Sequence, residues 1–345
     1  MFEISIIGTS ELGKEIPMVS LGSGKKVILA WSQMHGNEST TTKALIDFLA
    51  FIFQKKQYEE EISIFLATHT VHIIPILNPD GAEAYTRCNI NGVDLNRDAQ
   101  DLSQKESQIL RAIFDAVQPD LCLNMHDQRT IYGLPTGKTA AVSFLSPSAD
   151  ASRGVTAARE TAMLAIAAMY KELSKEIPGQ IGRYDDGFNL NCVGDTFTHL
   201  GVPTILFEAG HFPGDYNREV SRALIVKSLL IVFNISVETE TTSIEDYNSI
   251  PENQKTYCDI LLKDARLSDA SIKQNIAIQF TEVLEENTIF FIPTILELDS
   301  QLIGHKVIQC DGDWVEFNNQ KSVSFNEKLT IVYNKTKESE ILLRI

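Results

Sequence analysis

Two histidines and two glutamates stand where apolar runs give way to polar turns. His35 and Glu38 lie in Met34-His35-Gly36-Asn37-Glu38. An imidazole and a carboxylate three positions apart, with glycine between them, can turn toward one point, and that donor pair suits Zn²⁺. His126, in Leu123-Asn124-Met125-His126-Asp127, offers a second imidazole. It would complete a three-ligand site with a position left open for water. Asp127 points the other way in an extended chain and is not counted as a ligand. Glu208 ends the apolar run Thr204-Ile205-Leu206-Phe207. A charge placed there needs a partner or a function, and partial burial would raise its pKa toward the range of a general base. Taken singly, each group also has an ordinary reading: a surface histidine beside a helix-capping glutamate, a structural histidine, a second helix cap.

A third kind of chemistry sits between them. Asn78-Pro79-Asp80-Gly81 is followed by Arg87 and then by Gly92-Val93-Asp94-Leu95-Asn96-Arg97-Asp98. Guanidinium forks bind carboxylates bidentately, so this irregular stretch can grip an anionic substrate end. A solvated loop with internal ion pairs is the alternative.

These residues need elements to hold them. Lys26–Ser32 reads as a buried strand, so His35 follows a strand's carboxyl end, the edge where ligands bind in open α/β sheets. Residues 38–53 carry apolar side chains at helical spacing. Residues 72–77 read as a strand broken by the Asn-Pro-Asp-Gly turn. Ser103 with Glu106 fits a capping box opening a helix to Val117. Leu121–Met125 and Pro203–Phe207 read as strands; residues 150–175 and 219–237 read as helices. The alternation implies a mixed, mostly parallel central sheet with helices on both faces. This α/β domain is expected over residues 1–237. A Glu-, Thr-, Ser- and Asn-rich linker is expected over 238–256, and a small, mainly β domain over 257–345.

The ordered set of these motifs resembles the zinc carboxypeptidase family, also called funnelins or metallocarboxypeptidases, over roughly residues 25 to 235. The string Gly92 to Asp98 after Asn-Pro-Asp-Gly is its most specific part. The resemblance implies one Zn²⁺ held by His35, Glu38 and His126. It implies that Arg87 polarises the scissile carbonyl and stabilises the oxyanion, and that Asn96 and Arg97 fix the substrate's terminal carboxylate. Glu208 would deprotonate the attacking water and then protonate the leaving amine. Gly194-Asp195-Thr196-Phe197 resembles the family's side-chain pocket segment, and Tyr184 stands nearest to its substrate-contacting tyrosine. Two features differ from digestive-type members. Asp127-Gln128 follows the third ligand, and the gap from Glu38 to His126 is short. A short gap and a β-rich C-terminal piece are similar to the aspartoacylase and succinylglutamate desuccinylase branch, which cuts N-acyl amino acids. The expected function is a metallocarboxypeptidase acting on peptides. An N-acyl amino acid deacylase is the first alternative, and an inactive zinc- or peptide-binding module the second.

Bulk properties set the outer limits. The chain has 345 residues and a formal net charge of −16. Such acidity repels phosphate backbones and anionic lipid, so neither nucleic acid nor a membrane surface is expected as a partner. No run of about twenty apolar residues occurs, and the N-terminus lacks the basic start of a signal peptide. Five scattered cysteines without a CxxC pair fit a reduced, cytoplasmic protein. Oligomeric state is left open by the sequence.

Overall fold

The computed structural model describes every residue except 1, 55, 236–240, 269–270, 319, 321–324, 327, 342 and 344–345. In chain order the elements are β1 (Phe2–Thr9), β2 (Glu15–Gly22), β3 (Lys26–Ser32), α1 (Thr40–Gln54), α2 (Glu59–Thr68), β4 (His69–Ile74) and α3 (Pro79–Ala84). A 3₁₀ turn (Leu95–Arg97) leads to α4 (Lys105–Val117), β5 (Leu121–Asp127), β6 (Tyr132–Gly133), β7 (Val142–Leu145), α5 (Ala157–Ser174), β8 (Ile181–Arg183), α6 (Val193–His199), β9 (Thr204–Ala209), α7 (Glu219–Val232) and α8 (Ile244–Asn248). Short and long strands follow: β10 (Gln254–Lys255), β11 (Tyr257–Ala265), β12 (Gln274–Glu285), β13 (Thr288–Leu298), β14 (Ile303–Gln309), β15 (Val315–Phe317), β16 (Val332–Asn334) and β17 (Ser339–Glu340).

Two compact units emerge, the first made of residues 1–129 and 134–253, the second of 130–133 and 254–345. The first holds an eight-stranded sheet in the order β1-β2-β4-β3-β5-β9-β7-β8. Its centre, β4-β3-β5-β9, is parallel. The β1–β2, β2–β4 and β7–β9 pairs are antiparallel. This is the mixed α/β sheet that the alternation of elements predicts.

Along β3, Ile28 and Ala30 enter one apolar cluster, while Leu29 and Trp31 enter another. Alternate residues of a strand face opposite sides, so the two clusters cover the two faces. The first contains Ala44, Leu45, Phe48 and Ile52 of α1 and much of α5 and α7. The second contains Leu110 and Phe114 of α4 and Phe197 of α6. Burial on both sides explains why β3, β5 and β9 read as continuous apolar runs rather than alternating ones. Their carboxyl ends all open at one edge.

Two local expectations change. Helix α4 begins without a side-chain cap, after Gln104. Ser103 donates its hydroxyl to Asp98 Oδ1 at 2.7 Å, and Glu106 accepts from Glu11 N and Asn89 Nδ2. Long-range partners have taken both halves of the expected capping box. The polar stretch expected as a linker is only partly one. Residues 238–240 lie outside the described residues. Beyond them Ser243 and Asp246 form a true capping box for α8, and Tyr247 and Ile250 are buried in the core of the first unit. Two well-placed apolar side chains anchor a segment whose average composition is polar.

Among the described residues the regular elements of the second unit are all β strands. Strands β13-β12-β11-β14 form one sheet, β15-β16-β17 another, and β10 pairs with β6. Ile260, Leu262, Ile276, Ile278, Ile295 and Phe317 fill its core. Among the described residues no helix is long and apolar enough to cross a membrane.

Candidate metal centre and active site

The loop that carries His35 and Glu38 is fixed by the next strand's turn. Asn78 Nδ2 donates to Met34 O, and the Asn78 and Leu77 amides donate to Gln33 O and Ser32 O. Asn78 Oδ1 accepts from Gly81 N at 2.9 Å, capping α3. A Cβ on Gly36 would lie 2.0 Å from Gly81 C. The Asn-Pro-Asp-Gly turn is therefore a brace against which the ligand loop lies backbone to backbone, and only glycine fits at position 36.

On that brace the three candidate ligands converge. His35 Nδ1 is 2.9 Å from Glu38 Oε1, and His126 Nδ1 is 2.9 Å from Glu38 Oε2 and 3.1 Å from His35 Nδ1. One ligand atom from each residue lies within 4.8 Å of the others, and all three side chains are buried. Two imidazole nitrogens facing each other this closely cannot both keep a proton without conflict. A cation between them removes the conflict. The remaining contacts fix orientation. Asp94 Oδ1 accepts from His35 Nε2 at 2.9 Å, the carboxylate–histidine arrangement that leaves Nδ1 free to bind metal. Glu38 Oε2 also accepts from Asp127 N at 3.1 Å.

Asp94 is a hub that sequence reasoning passed over, although it stands inside the most specific motif. Besides His35 it caps the 3₁₀ turn by accepting from Asn96 N at 2.9 Å. Its other oxygen accepts from Arg87 Nε at 3.1 Å and Nη2 at 3.0 Å. One carboxylate thus ties a ligand, the arginine and the turn bearing Asn96 and Arg97. Replacing Asp94 with alanine is expected to weaken zinc binding about 10–100-fold, the usual cost of losing a ligand's hydrogen-bond partner. Competition with a chromophoric chelator measures it.

Arg87 reaches Glu38 Oε1 at 3.3 Å and is about half exposed, at 48%. Asn96 Oδ1 accepts from Val193 N at 3.1 Å, which docks the turn on the start of α6. Arg97 Nη1 donates to Asn96 O at 2.7 Å. Asp195, in the pocket segment, accepts from Asn189 N at 3.0 Å, and burial pushes its pKa up to about 6. Tyr184 follows β8 and is held by its amide to Phe144 O on β7, the strand that pairs with β9, which carries Glu208. Asp127 points away from the triad: its carboxylate accepts from Thr40 N at 2.8 Å and Thr41 N at 3.3 Å, at the start of α1.

Glu208 stands opposite His126 in the parallel register of β5 and β9. Its Oε2 is sealed from solvent with no hydrogen-bond partner. Burial, then the charges of Glu38 and Asp127, push its pKa well above the carboxylate range, while Arg87 and Arg129 oppose them. Burial would also raise Glu38, but His35 and His126 hold it well below. Burial works against a charge on His35, yet Glu38 and Asp94 raise it; burial lowers His126. The buried Glu38 carboxylate between two imidazoles, with the orphaned Oε2 of Glu208 beside them, matches what a divalent cation and its water need. The donor set, two nitrogens and a carboxylate, suits zinc.

Comparison with known proteins bears on the fold and the family. The structure is similar to a metallo-carboxypeptidase from Burkholderia cenocepacia, with a TM-score of 0.54, 18% identity, and coverage of 68% of this chain and 64% of that one. It is similar to a metallo-carboxypeptidase from Pseudomonas aeruginosa, with a TM-score of 0.54, 17% identity, and coverage of 71% and 65%. In sequence, 82 residues are 38% identical to Carboxypeptidase E of Caenorhabditis elegans, covering 20% of this chain and 17% of that protein. The chain thus spans less than two thirds of the length of each of these relatives. The family model for zinc carboxypeptidases matches residues 1–191 of the 345, and the chain belongs to the zinc carboxypeptidase family.

Proposed function

We propose that the protein is a zinc metallocarboxypeptidase that hydrolyses the amide next to a free terminal carboxylate. The observation that carries this reading is the convergence of His35, Glu38 and His126 beside Glu208 and Arg87 at one sheet edge. His35 Nδ1, His126 Nδ1 and the Glu38 carboxylate would hold one zinc. When bound, zinc lowers the pKa of a coordinated water to about 7. Glu208 accepts that water's proton at Oε2 and later returns it to the leaving amine. Its sealed position suits a base whose proton affinity must rise above that of an ordinary carboxylate. Arg87 turns a guanidinium N–H toward the carbonyl oxygen as negative charge develops there. Removing such a donor typically costs about 3–4 kcal/mol of barrier. Asn96 and Arg97 hold the substrate's terminal carboxylate, and Tyr184, just after β8, contacts the bound substrate. We assign residues 1–237 to the catalytic domain and 257–345 to a small β-rich domain.

The test is a paired assay. Blocked dipeptides with a free carboxylate should be cleaved, and their C-terminal amides should not. Arg97→Ala should raise KM for the free acid at least about tenfold, the scale of a lost charge-assisted hydrogen bond. Equal cleavage of acid and amide would remove the exopeptidase reading. Hydrolysis of N-acetyl-aspartate or N-succinyl-glutamate in preference to any dipeptide would replace it with a deacylase of the same mechanism.

A further inference from the structure

We propose that Asn124 forms the floor of the pocket for the substrate's terminal side chain and selects a side chain that ends in a primary amide. Terminal glutamine and asparagine are then preferred over apolar, acidic and basic residues. That the pocket receives a terminal side chain rests on the proposed carboxylate grip by Asn96 and Arg97.

Asn124 stands two residues before His126 on β5, so both side chains leave the same face of the sheet, about 7 Å apart along the strand. In register it lies between Trp31 on β3 and Leu206 on β9, two positions below the pairing of His126 with Glu208. The first turn of α6 lies over it: a Cβ on Gly194 would stand 3.9 Å from Asn124 Nδ2. The preceding residue, Val193, donates its amide to Asn96 Oδ1 at 3.1 Å. Consecutive residues of α6 thus meet the carboxylate grip and the Asn124 amide. The same helix carries Asp195, which is buried, and Phe197, whose ring meets Trp31 edge-on at 5.4 Å. A substrate whose carboxylate is held by the turn docked on α6, and whose carbonyl meets the metal at His126, has its terminal side chain above Asn124.

The Oδ1 of Asn124 is buried without a protein partner. The residue is 2% exposed, as sealed as His35 at 2% and His126 at 3%, the groups that must meet the metal. The indole Nε1 of Trp31, beside it in register on the same face, is also buried without a protein partner. Buried polar groups left unpaired are costly and rare. Here one acceptor and one donor occupy neighbouring positions. A primary amide supplies one of each: its N–H donates to Asn124 Oδ1, and its carbonyl oxygen accepts from Trp31 Nε1. A methionine or leucine side chain offers neither. A carboxylate lacks the donor and meets repulsion in a chain of net charge −16. An ammonium lacks the acceptor. A site built to hydrogen-bond a group rejects its apolar analogue far more strongly than an apolar pocket rejects a polar one.

The experiment measures binding without turnover. Zinc-loaded Glu208→Gln protein is titrated with benzyloxycarbonyl dipeptides that have alanine first and glutamine, asparagine, methionine, leucine, glutamate or lysine last. The better of the two amide ligands should bind about tenfold tighter or more than any of the other four. In the double variant with Asn124→Leu that advantage should vanish, while the methionine and leucine ligands bind as well as before or better and zinc content is unchanged. The double variant should also melt no lower than its parent, because the amide oxygen it loses has no protein partner. Amide ligands bound no better than the rest, as expected if Asn124 and Trp31 only hold an internal water, overturn the proposal. So do equal weakening of all ligands by Asn124→Leu, a lower melting temperature or zinc content, and binding of no ligand. Turnover of the same dipeptides by the wild-type protein separates the two readings. If it hydrolyses none, yet the Asn124-dependent preference persists, the peptidase reading falls and the amide pocket stands. If it hydrolyses all alike and binding shows no preference, the reverse holds.

Discussion

Replacing Glu208 with glutamine is expected to leave zinc bound and to lower kcat about a thousandfold or more. Glutamine keeps the shape of the side chain but cannot accept the proton of the attacking water. General acid–base groups contribute typically about 10²–10⁴-fold, and here one residue serves both proton transfers. The structure makes the expectation specific. Glu208 is not one of the three groups whose ligand atoms converge, so zinc content should not change. Its Oε2 is buried without a partner, so a neutral amide costs the fold little. Metal analysis alongside steady-state kinetics checks both halves. Near wild-type turnover would show that another group is the base. Loss of zinc would show that Glu208 is a ligand.

The second large effect is on the metal itself. His126→Ala removes one of three ligands, and zinc affinity should fall well beyond the roughly 10–100-fold typical of losing an outer hydrogen-bond partner. The variant should therefore separate cleanly from Asp94→Ala. A linked readout is thermal stability. A ligand that binds only the folded state at about 1,000 times its Kd stabilises by roughly 4 kcal/mol, so zinc should raise the melting temperature of the wild type. In His126→Ala that rise should disappear at the same zinc concentration. His126 is only 3% exposed, so the comparison is made within each variant, with and without metal. An undiminished zinc-induced shift in His126→Ala would place the metal elsewhere.

How much of this site the sequence discloses depends on the range of the interactions. His35, Glu38 and His126 were legible because each stands just past an apolar run, and strand ends of a parallel sheet meet at one edge. Glu208 was legible for the same reason: a carboxylate ending a buried strand is costly without a task. Asp94 was not singled out, because its importance lies in a contact with His35, 59 positions away in the chain. The brace formed by Gly36 against Gly81 is equally long-range, although both glycines belong to motifs that stood out. Asn124 carried no local signal at all, since nothing in the run around it says that its amide oxygen ends without a protein partner.

The fold shows the same division. Helical spacing of apolar residues placed α1, alanine richness placed α5, and short apolar runs placed the central strands. The antiparallel β1–β2 pair at the sheet edge was not predicted, because the exposed side chains of β1 leave little contrast between a buried and a solvent face. Helix α8 was hidden in a polar stretch, where only Tyr247 and Ile250 reveal that it packs. Ser103 and Glu106 had the right spacing for a cap, but Asp98 and the Glu11 amide competed for them. Local rules lost wherever a distant partner offered a better hydrogen bond.

The most direct measurement is a crystal structure of the zinc-loaded protein with anomalous data collected on both sides of the zinc edge. The account predicts one strong zinc peak in the first unit, bonded to Nδ1 of His35, Nδ1 of His126 and the Glu38 carboxylate, with Glu208 beside it and not coordinated. A peak bound by other side chains, or no peak among these three in protein that contains zinc, would contradict it.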